Sequence, residues 1–350
     1  MNTSMSPAYE SILEAPLAPL RNGGVGFVGA DIPVELLLAS GRPFGHLPWR
    51  ADLPTPTADR WLESSFPGWA RSILEQWFEG AFHGITDVLF SRADDAAQRL
   101  CYYVRELQAR GQLGGPAPHL LDLALIPRAT SLSHTAASIG ALAQRLGIED
   151  SAWPNALGRA DRLRTQLAAL NAGRGSHGVQ YEHLFRAALW SDATQWIDSV
   201  SIAAQDGGRR ILLAGSMPPD DRLHRAVEAG GACVVDELHP GGPLRLGPVL
   251  DTSGEAPLLR VARHLQLHGT GPRAFIDRAA QLLARVRECR AEAVVLWMTR
   301  EDEALAWQVP AQSRVLREAG VPVLVRADAS WKADDGALEA ITRFCREELP

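Results

Sequence analysis

The sequence predicts an α/β protein made of two similar domains with mostly parallel sheets. Short apolar runs alternate with longer helical patterns in both halves of the chain, which is typical of layered α/β architecture. Some runs, such as residues 293–297, are apolar throughout, as expected of a strand buried on both faces of a sheet. A length of 350 residues also favours two domains.

The first half alternates four predicted strands with helical segments. The strands are predicted at 25–28, 44–48, 85–91 and 120–126. The helices are predicted at 34–39, 58–63, 68–82 and 96–110. The last of these carries apolar Leu100, Tyr103, Val104 and Leu107, which form one face at helical spacing.

A stretch with almost no strand signal separates the two α/β sets. Helices are predicted there at 138–146, 159–170 and 181–205. The second set has strands at 210–214, 232–236, 293–298 and 321–325, helices at 220–229, 274–287, 311–319 and 336–348, and a Gly/Pro-rich loop at 240–257. We therefore expect an N-terminal tail (1–23), a first lobe (24–130), a helical connector (131–206) and a second lobe (207–350).

Composition narrows the functional classes. The formal net charge is −6 and no dense basic patch occurs, which argues against nucleic-acid binding. Lys332 is the only lysine among 35 basic residues, and the 34 arginines suit anionic ligands. No uncharged apolar run is long enough to span a bilayer, and residues 1–19 do not resemble a secretory signal. We expect a cytoplasmic protein with reduced thiols.

Gly24, Gly26 and Gly29 match the dinucleotide-binding spacing GxGxxG, with Asp52 downstream as a possible ribose ligand. That fingerprint requires a strand before the first glycine and a helix that opens at the third. Here the glycines lie within the predicted strand and two prolines precede it, so close packing at the strand is the favoured interpretation.

His264 and His268 occur in a stretch where polar and apolar residues alternate. On a strand they would share a face and could bind a metal. No third ligand is indicated nearby, so two polar residues on an exposed face are favoured.

Two kinds of strand-end corner could carry chemistry. Gly215 and Ser216 follow a predicted strand, at the sheet edge where α/β proteins bind ligands through backbone N–H groups. The alternative is simple capping of the next helix by Asp220 or Asp221. Acidic residues at 94–95 and 301–303 also follow strands; they could act as acids and bases, although helix capping is the favoured role.

The corners occur in an order that resembles the 2-hydroxyacyl-CoA dehydratase family, which also includes benzoyl-CoA reductase subunits. The segments that carry the resemblance are 29–41, 64–72, 88–95, 210–216, 230–237, 293–298 and 320–324. They include a Pro-x-Glu-Leu opening at Pro33 and a Gly-Ser turn at Gly215, and together they cover nearly the whole chain from Gly24.

The resemblance implies a subunit of two flavodoxin-like (Rossmann-like) lobes that forms a heterodimer. In such enzymes three cysteines hold a [4Fe–4S] cluster between the lobes, beside an acyl-CoA pocket. A separate ATP-hydrolysing iron–sulfur activator delivers one electron for radical dehydration or ring reduction.

The sequence departs from this pattern at the cluster. The three expected cysteines fall on Phe66, Ala93 and at or near Thr299, and neither Phe nor Ala can ligate iron. The actual cysteines, at 101, 233, 289 and 345, do not form ligand pairs and are predicted to be buried structural thiols. From its size alone, Phe66 could fill the cluster space.

The leading hypothesis is a cluster-deficient subunit that assists assembly and acyl-CoA binding beside a cysteine-bearing paralogue. No cofactor is expected on this chain, and a [4Fe–4S] cluster is expected in the partner. This chain is expected to help shape the acyl-CoA channel and to contact the ATP-dependent activator. Arg42, Gly215, Ser216 and Arg273 are predicted to line the acyl-CoA site between the lobes. The alternative is a stand-alone acyl-CoA-binding protein or a redox-independent enzyme on the same scaffold.

Overall fold

A computed structural model describes residues 8–175, 177–200, 202, 207–251 and 254–348. Two four-stranded, all-parallel sheets form its framework, which confirms the predicted α/β fold with two parallel-sheet lobes. The first sheet contains β1 (Gly24–Val28), β2 (Phe44–His46), β3 (Ile85–Ser91) and β4 (Ala117–Leu121). The second contains β5 (Arg209–Gly215), β6 (Ala232–Leu238), β7 (Ala293–Thr299) and β8 (Val323–Ala329).

Both sheets have the same winding. The spatial orders are β2-β1-β3-β4 and β6-β5-β7-β8, so in each the chain starts at a central strand, moves to one edge and then returns to the other side. This is the flavodoxin-like order with four strands. All seven residues of β7 are buried, as expected for a central strand covered on both faces.

Helices cover both sheets and join them. α1 (Ala8–Glu14) packs on the helix at 178–190, and α2 (Val34–Ala39), α3 (Gly68–Phe78) and α4 (Asp95–Ala109) belong to the first lobe. The chain between the sheets forms α5 (Ala129–Arg145), α6 (Trp153–Ala172) and α7 (Gly178–Trp190). The helices that follow are α8 (Arg222–Ala229), α9 (Pro257–His268), α10 (Arg278–Cys289), α11 (Glu303–Ala306), α12 (Val309–Glu318) and α13 (Ala337–Arg343), with a π-helical turn (Phe344–Glu348) at the end. Of these, α9 packs mainly on α5, and the others belong to the second lobe.

The sequence interpretation was wrong about α9. Its alternating end suggested a strand and its beginning was assigned to a loop, but Leu258, Val261, Ala262 and Leu265 have helical spacing. Pro257 occupies the first turn, where a missing N–H costs nothing. The two histidines lie on one helical face rather than on a strand. His264 is buried, so the interpretation of two residues on an exposed face is wrong for it.

Several other helix and strand boundaries differ from the predicted ones. β4 begins earlier than predicted and ends at Leu121, because it is an edge strand that tolerates Pro118 and the apolar run continues beyond the sheet. α10 begins only at Arg278, where the Asp277 carboxylate accepts the Ala280 N–H. The predicted helix at 58–63 is a short 3-10 turn, Ala58–Arg60, and that at 181–205 ends at Trp190.

The end of α7 packs directly on the edge strand β2. A Cβ atom placed on Gly45 would lie 2.1 Å from the Trp190 carbonyl oxygen and 3.0 Å from the Ser191 nitrogen. Backbone atoms cannot move away as a flexible side chain can, so this position requires glycine.

We expect Gly45→Ala to lower the free energy of unfolding by about 3 kcal/mol, because it forces two backbones apart. Gly114→Ala is the matched control, since nothing lies within 4 Å of a Cβ atom there. Its effect should stay within about 0.5 kcal/mol in urea unfolding. Equal effects of the two substitutions would contradict the close packing of α7 on β2.

Candidate functional site

The structure brings together the carboxyl ends of the two sheets. The winding reverses between β1 and β3 in the first sheet and between β5 and β7 in the second. Doubly wound proteins bind their ligands at such reversals, outside the carboxyl ends of the strands. The residues at or just after the ends of these strands include Asp31 and Asp94 from the first lobe and Ser216, Thr299 and Asp302 from the second. We call these five residues, together with Arg278, the interlobe site.

Asp31 joins the two lobes through backbone hydrogen bonds. Its buried carboxylate accepts the N–H groups of Thr270 at 2.8 Å and Gly271 at 3.0 Å, in the loop after α9. Burial raises the pKa of Asp31, and these hydrogen bonds oppose the rise. The same loop makes a further backbone contact with the first lobe. The Arg273 N–H donates to the Ala93 carbonyl oxygen at 3.2 Å.

Asp94 and Asp302 approach one another from opposite lobes. Asp94 is half-buried and caps α4, with its carboxylate accepting the Ala97 N–H at 3.1 Å, so the predicted capping role is confirmed. Burial raises the pKa of Asp94 to about 7, and the charge of Asp302 adds to the rise. A carboxyl group that titrates near neutral pH can serve as a proton donor or acceptor.

Asp302 follows β7, and its N–H donates to the Thr299 carbonyl oxygen at 3.0 Å. It stands at the N-cap position of α11 without a side-chain capping bond, so the capping role predicted for 301–303 is wrong there. Burial raises the pKa of Asp302, while the polar side chains of Ser216 and Thr299 and the positive charge of Arg278 lower it. Arg278 therefore supplies the counter-charge for Asp302 and, by the same effect, for Asp31.

The predicted Gly215–Ser216 corner is part of this site. Gly215 has a φ of +120°, and a Cβ atom there would lie 2.3 Å from the Trp297 carbonyl oxygen. The Ser216 N–H donates to the same oxygen at 2.8 Å, and the Ser216 Oγ accepts the Thr299 N–H at 2.9 Å. The turn is thus fixed by backbone contacts that need glycine.

The alternative role predicted for this segment, capping of the next helix, is present at Asp220. Its carboxylate accepts the Arg222 N–H at 3.0 Å, at the start of α8.

Arg273 lies at the edge of the joint and is partly exposed. Its guanidinium forms an ion pair with Asp95 and donates to the Gln98 side chain at 2.7 Å. It reaches the first lobe from the loop before α10, close to Ala93. Of the predicted acyl-CoA residues, the structure therefore brings Gly215, Ser216 and Arg273 to the joint between the lobes.

Arg42 lies apart from them. Its guanidinium binds the carbonyl oxygen of Gly23 at 2.9 Å and the Asp87 carboxylate at 2.8 Å, at the amino-terminal edge of the first sheet. The carboxyl ends of β1 and β3 are at the opposite edge. Arg42 thus stabilises the start of two strands and does not face the second lobe.

The corner residues Phe66, Ala93 and Thr299 have different surroundings. Phe66 is buried, with its ring edge-on to Tyr103 at 5.3 Å and the Arg99 guanidinium 4.1 Å from its centroid. Two residues later, Gly68 packs on Trp331 of the second lobe. Ala93 and Thr299 are buried at the ends of β3 and β7.

The four cysteines lie elsewhere. Cys101 is inside α4, and Cys233, Cys289 and Cys345 gather at the amino-terminal edge of the second sheet. Three are buried as predicted, whereas Cys289 is half-buried. Burial raises the pKa of all four thiols, to about 11 for Cys101 and Cys345, so they remain protonated at neutral pH.

The donor set of the interlobe site does not fit an iron–sulfur cluster held by thiolates. Its side chains offer carboxylates, hydroxyls and one guanidinium, whereas such clusters require cysteine sulfur. Within the described ranges, no group of three or more His, Cys, Asp or Glu side chains is arranged to hold a metal ion. His264 and His268 do pack together, with ring centroids 5.0 Å apart, but His264 Nε2 is bonded to the Leu246 carbonyl oxygen.

The GxGxxG glycines serve packing. A Cβ atom on Gly26 would meet the Leu47 side chain at 2.7 Å, and one on Gly29 would meet Ala97 of α4 at 2.6 Å. No helix opens at Gly29, since α2 begins only at Val34. Asp52, the proposed ribose ligand, instead pairs with Arg222 of the other lobe at 3.0 Å.

Sequence reasoning missed Asp31 and Arg278 as site residues. Asp31 follows β1 directly, which is the usual place for a ligand-binding or joint-forming acid, and that position was the available signal. Arg278 begins α10, inside a segment predicted to be helical from 274, so its place at the helix start was hidden.

The fold is that of a two-lobed α/β protein, with a candidate site at the carboxyl ends of both parallel sheets. A family model described as the 2-hydroxyglutaryl-CoA dehydratase D-component matches residues 155–340, more than half of the chain. The chain belongs to this family, as the sequence resemblance indicated. No curated protein matches it. In the described residues, no helix combines the length and hydropathy needed to cross a bilayer.

The raised pKa of Asp94 predicts a pH-dependent stability. The folded state holds this proton up to about pH 7 and the unfolded chain only to about 3.8, so stability falls as pH rises through that window. We expect Asp94→Asn, which keeps the helix cap, to be more stable than wild type by about 2 kcal/mol at pH 8 and equally stable at pH 4.

Urea unfolding at the two pH values checks this expectation. Asp94→Ala is the matched variant, because it removes both the charge and the cap and should be less stable than Asp94→Asn by about 1 kcal/mol at either pH. A stability of Asp94→Asn that tracks wild type across the whole range would contradict the raised pKa.

Proposed function

We propose that this chain is a subunit of a 2-hydroxyacyl-CoA dehydratase- or benzoyl-CoA reductase-like complex that carries no iron–sulfur cluster of its own. It assists assembly and acyl-CoA binding beside a paralogous subunit that has the cysteines and holds a [4Fe–4S] cluster. Family membership supports the complex, and the donor set of the interlobe site supports the missing cluster. That donor set is the observation on which the proposal depends.

The chemistry of the corners favours a non-redox role. Phe66, Ala93 and Thr299 occupy the positions where the family resemblance expects thiolates, and the four thiols of the chain lie at other places. At the β5 and β7 ends, Ser216 and Thr299 hydrogen-bond to one another instead. Electron delivery by the ATP-dependent activator is accordingly assigned to the partner subunit.

The acyl-CoA site is assigned to the joint between the lobes, around Gly215, Ser216 and Arg273. A thioester would lie at the carboxyl end of β5, the sheet edge at which parallel α/β proteins bind ligands. Arg273, partly exposed at the same joint, offers a guanidinium that suits a CoA phosphate. Arg42 is left out of this site because of its place at the far edge of the sheet.

A second function is favoured by Asp94. Its pKa of about 7 and the opposing Asp302 give the site an acid–base pair, as in an enzyme without redox chemistry. On this alternative the chain is a stand-alone acyl-CoA-binding protein or a redox-independent enzyme.

Anaerobic purification with metal analysis tests the leading proposal. We expect the chain alone to contain no stoichiometric iron or sulfide and no visible iron–sulfur absorbance. Co-expressed with a neighbouring cysteine-bearing paralogue, it should be recovered in a complex whose iron belongs to the partner. Stoichiometric iron and sulfide on the isolated chain would reject it, and failure to form a complex would favour the stand-alone alternative.

Calorimetric titration with short-chain acyl-CoA esters tests the binding site. We expect Arg273→Gln to weaken binding about tenfold, because one charge-assisted hydrogen bond to a phosphate is lost. Arg317→Gln, an exposed arginine on α12, is the control and should bind as wild type does. Equal losses in both variants would remove Arg273 from the site.

A further inference from the structure

A small cavity of about 40 Å³ lies at the carboxyl end of β1. The residues that follow β1 form one side of it, and α6, the end of α7 and the segment after β6 form the others. Most of the wall is apolar, and among the described residues only Asp31 and Arg245 bring ionisable side chains to it. Since about 10–15 Å³ is needed for one water molecule, the cavity has room for roughly three waters or one small ion. We call it the β1-edge cavity.

The guanidinium of Arg245 has no carboxylate partner among the described residues. Its nitrogens donate to the carbonyl oxygens of Ala188 at 2.7 Å and Gly242 at 3.4 Å, and its Nε–H donates to no acceptor there. The buried Arg164, in contrast, forms an ion pair with Glu35. Arg245 therefore keeps free N–H donors at the cavity wall.

The positive charge of Arg245 is also largely uncompensated. Burial lowers its pKa to about 10, and no neighbouring carboxylate opposes this fall, yet the side chain stays charged at neutral pH. For Arg278, Asp31 and Asp302 do oppose the effect of burial. Ala188 lies near the end of α7, and a helix end carries only about half a negative charge, so the helix offsets part of the charge of Arg245.

The other ionisable groups nearby do not supply the missing negative charge. The Asp31 carboxylate is engaged by the N–H groups of Thr270 and Gly271, on the loop after α9. His46 is neutral at pH 7, because burial lowers its pKa to about 4 and the charge of Arg245 adds to this fall. The cavity thus joins one unopposed cation to an apolar wall.

We propose that the β1-edge cavity binds a small monoanion, a chloride ion or a carboxylate of the size of formate, at the guanidinium of Arg245. The anion accepts the free N–H donors and completes the charge balance of a partly buried arginine. The cavity is far too small for an acyl-CoA, so this site is separate from Gly215 and Ser216 and does not rest on the proposed function. Because the unfolded chain has no such cavity, the bound anion stabilises the fold.

Line broadening in chloride NMR measures binding on the full chain. We expect wild type to broaden the line, and formate to compete, whereas gluconate is larger than the cavity and should not. Arg245→Gln should raise the apparent dissociation constant for chloride at least about tenfold. Arg287→Gln, exposed on α10, is the control and should match wild type. Broadening that gluconate also removes, or that persists in Arg245→Gln, would overturn the proposal.

Ala188→Val is the second variant. It adds two methyl groups at the cavity wall and leaves the guanidinium in place, so it tests the site even if Arg245→Gln disturbs the fold. We expect it to lose chloride binding as well. Undiminished binding would place the anion outside the cavity.

Urea unfolding in equal concentrations of sodium chloride, formate and gluconate separates this role from simple capping of α7. Wild type should unfold at a higher urea concentration in chloride or formate than in gluconate, and Arg245→Gln should show no such difference. General effects of the salts act on both chains and cancel in the comparison. If Arg245 served only as a cap, its replacement would lower the urea midpoint equally in all three salts, and that result would reject the anion site.

Discussion

The position of the loop after α9 against the first lobe depends on one buried carboxylate. Asp31 accepts two backbone N–H groups from the loop after α9, so its oxygens are satisfied by the other half of the chain. A buried carboxylate without such donors would cost several kcal/mol. This contact fixes where the loop at 269–273 lies, and that loop in turn places Arg273 against the first lobe and Arg278 near Asp302.

Parallel topology explains why acids and thiols are separated. In each sheet all strands end at the same edge, so every residue that follows a strand is delivered to one side. The carboxylates and hydroxyls of the site come from those ends. The cysteines of the second lobe lie where its strands begin, because Cys233 opens β6 and the other two lie close to the start of β5. Changes of side-chain rotamer alone could not carry these thiols from the strand starts to the site at the strand ends.

The central strands and their corners could be read from the sequence, because a strand that is buried on both faces needs an unbroken apolar run. β7 and the Gly215–Ser216 turn were predicted on that basis and both are present. α9 was missed because two histidines four residues apart satisfy a strand and a helix alike. Arg42 and Asp31 could not be placed, since their partners are distant in sequence: Asp87 for one and Thr270 for the other.

Asp31 also has a left-handed backbone, with a φ of +61°. An L-residue other than glycine adopts this conformation at a cost of about 1 kcal/mol, which aspartate bears better than most. The surrounding contacts hold the residue there, so part of the energy that those contacts release is stored as torsional strain. The Asp31 contact therefore contributes less to the free energy that joins the two lobes than its two backbone hydrogen bonds alone would contribute.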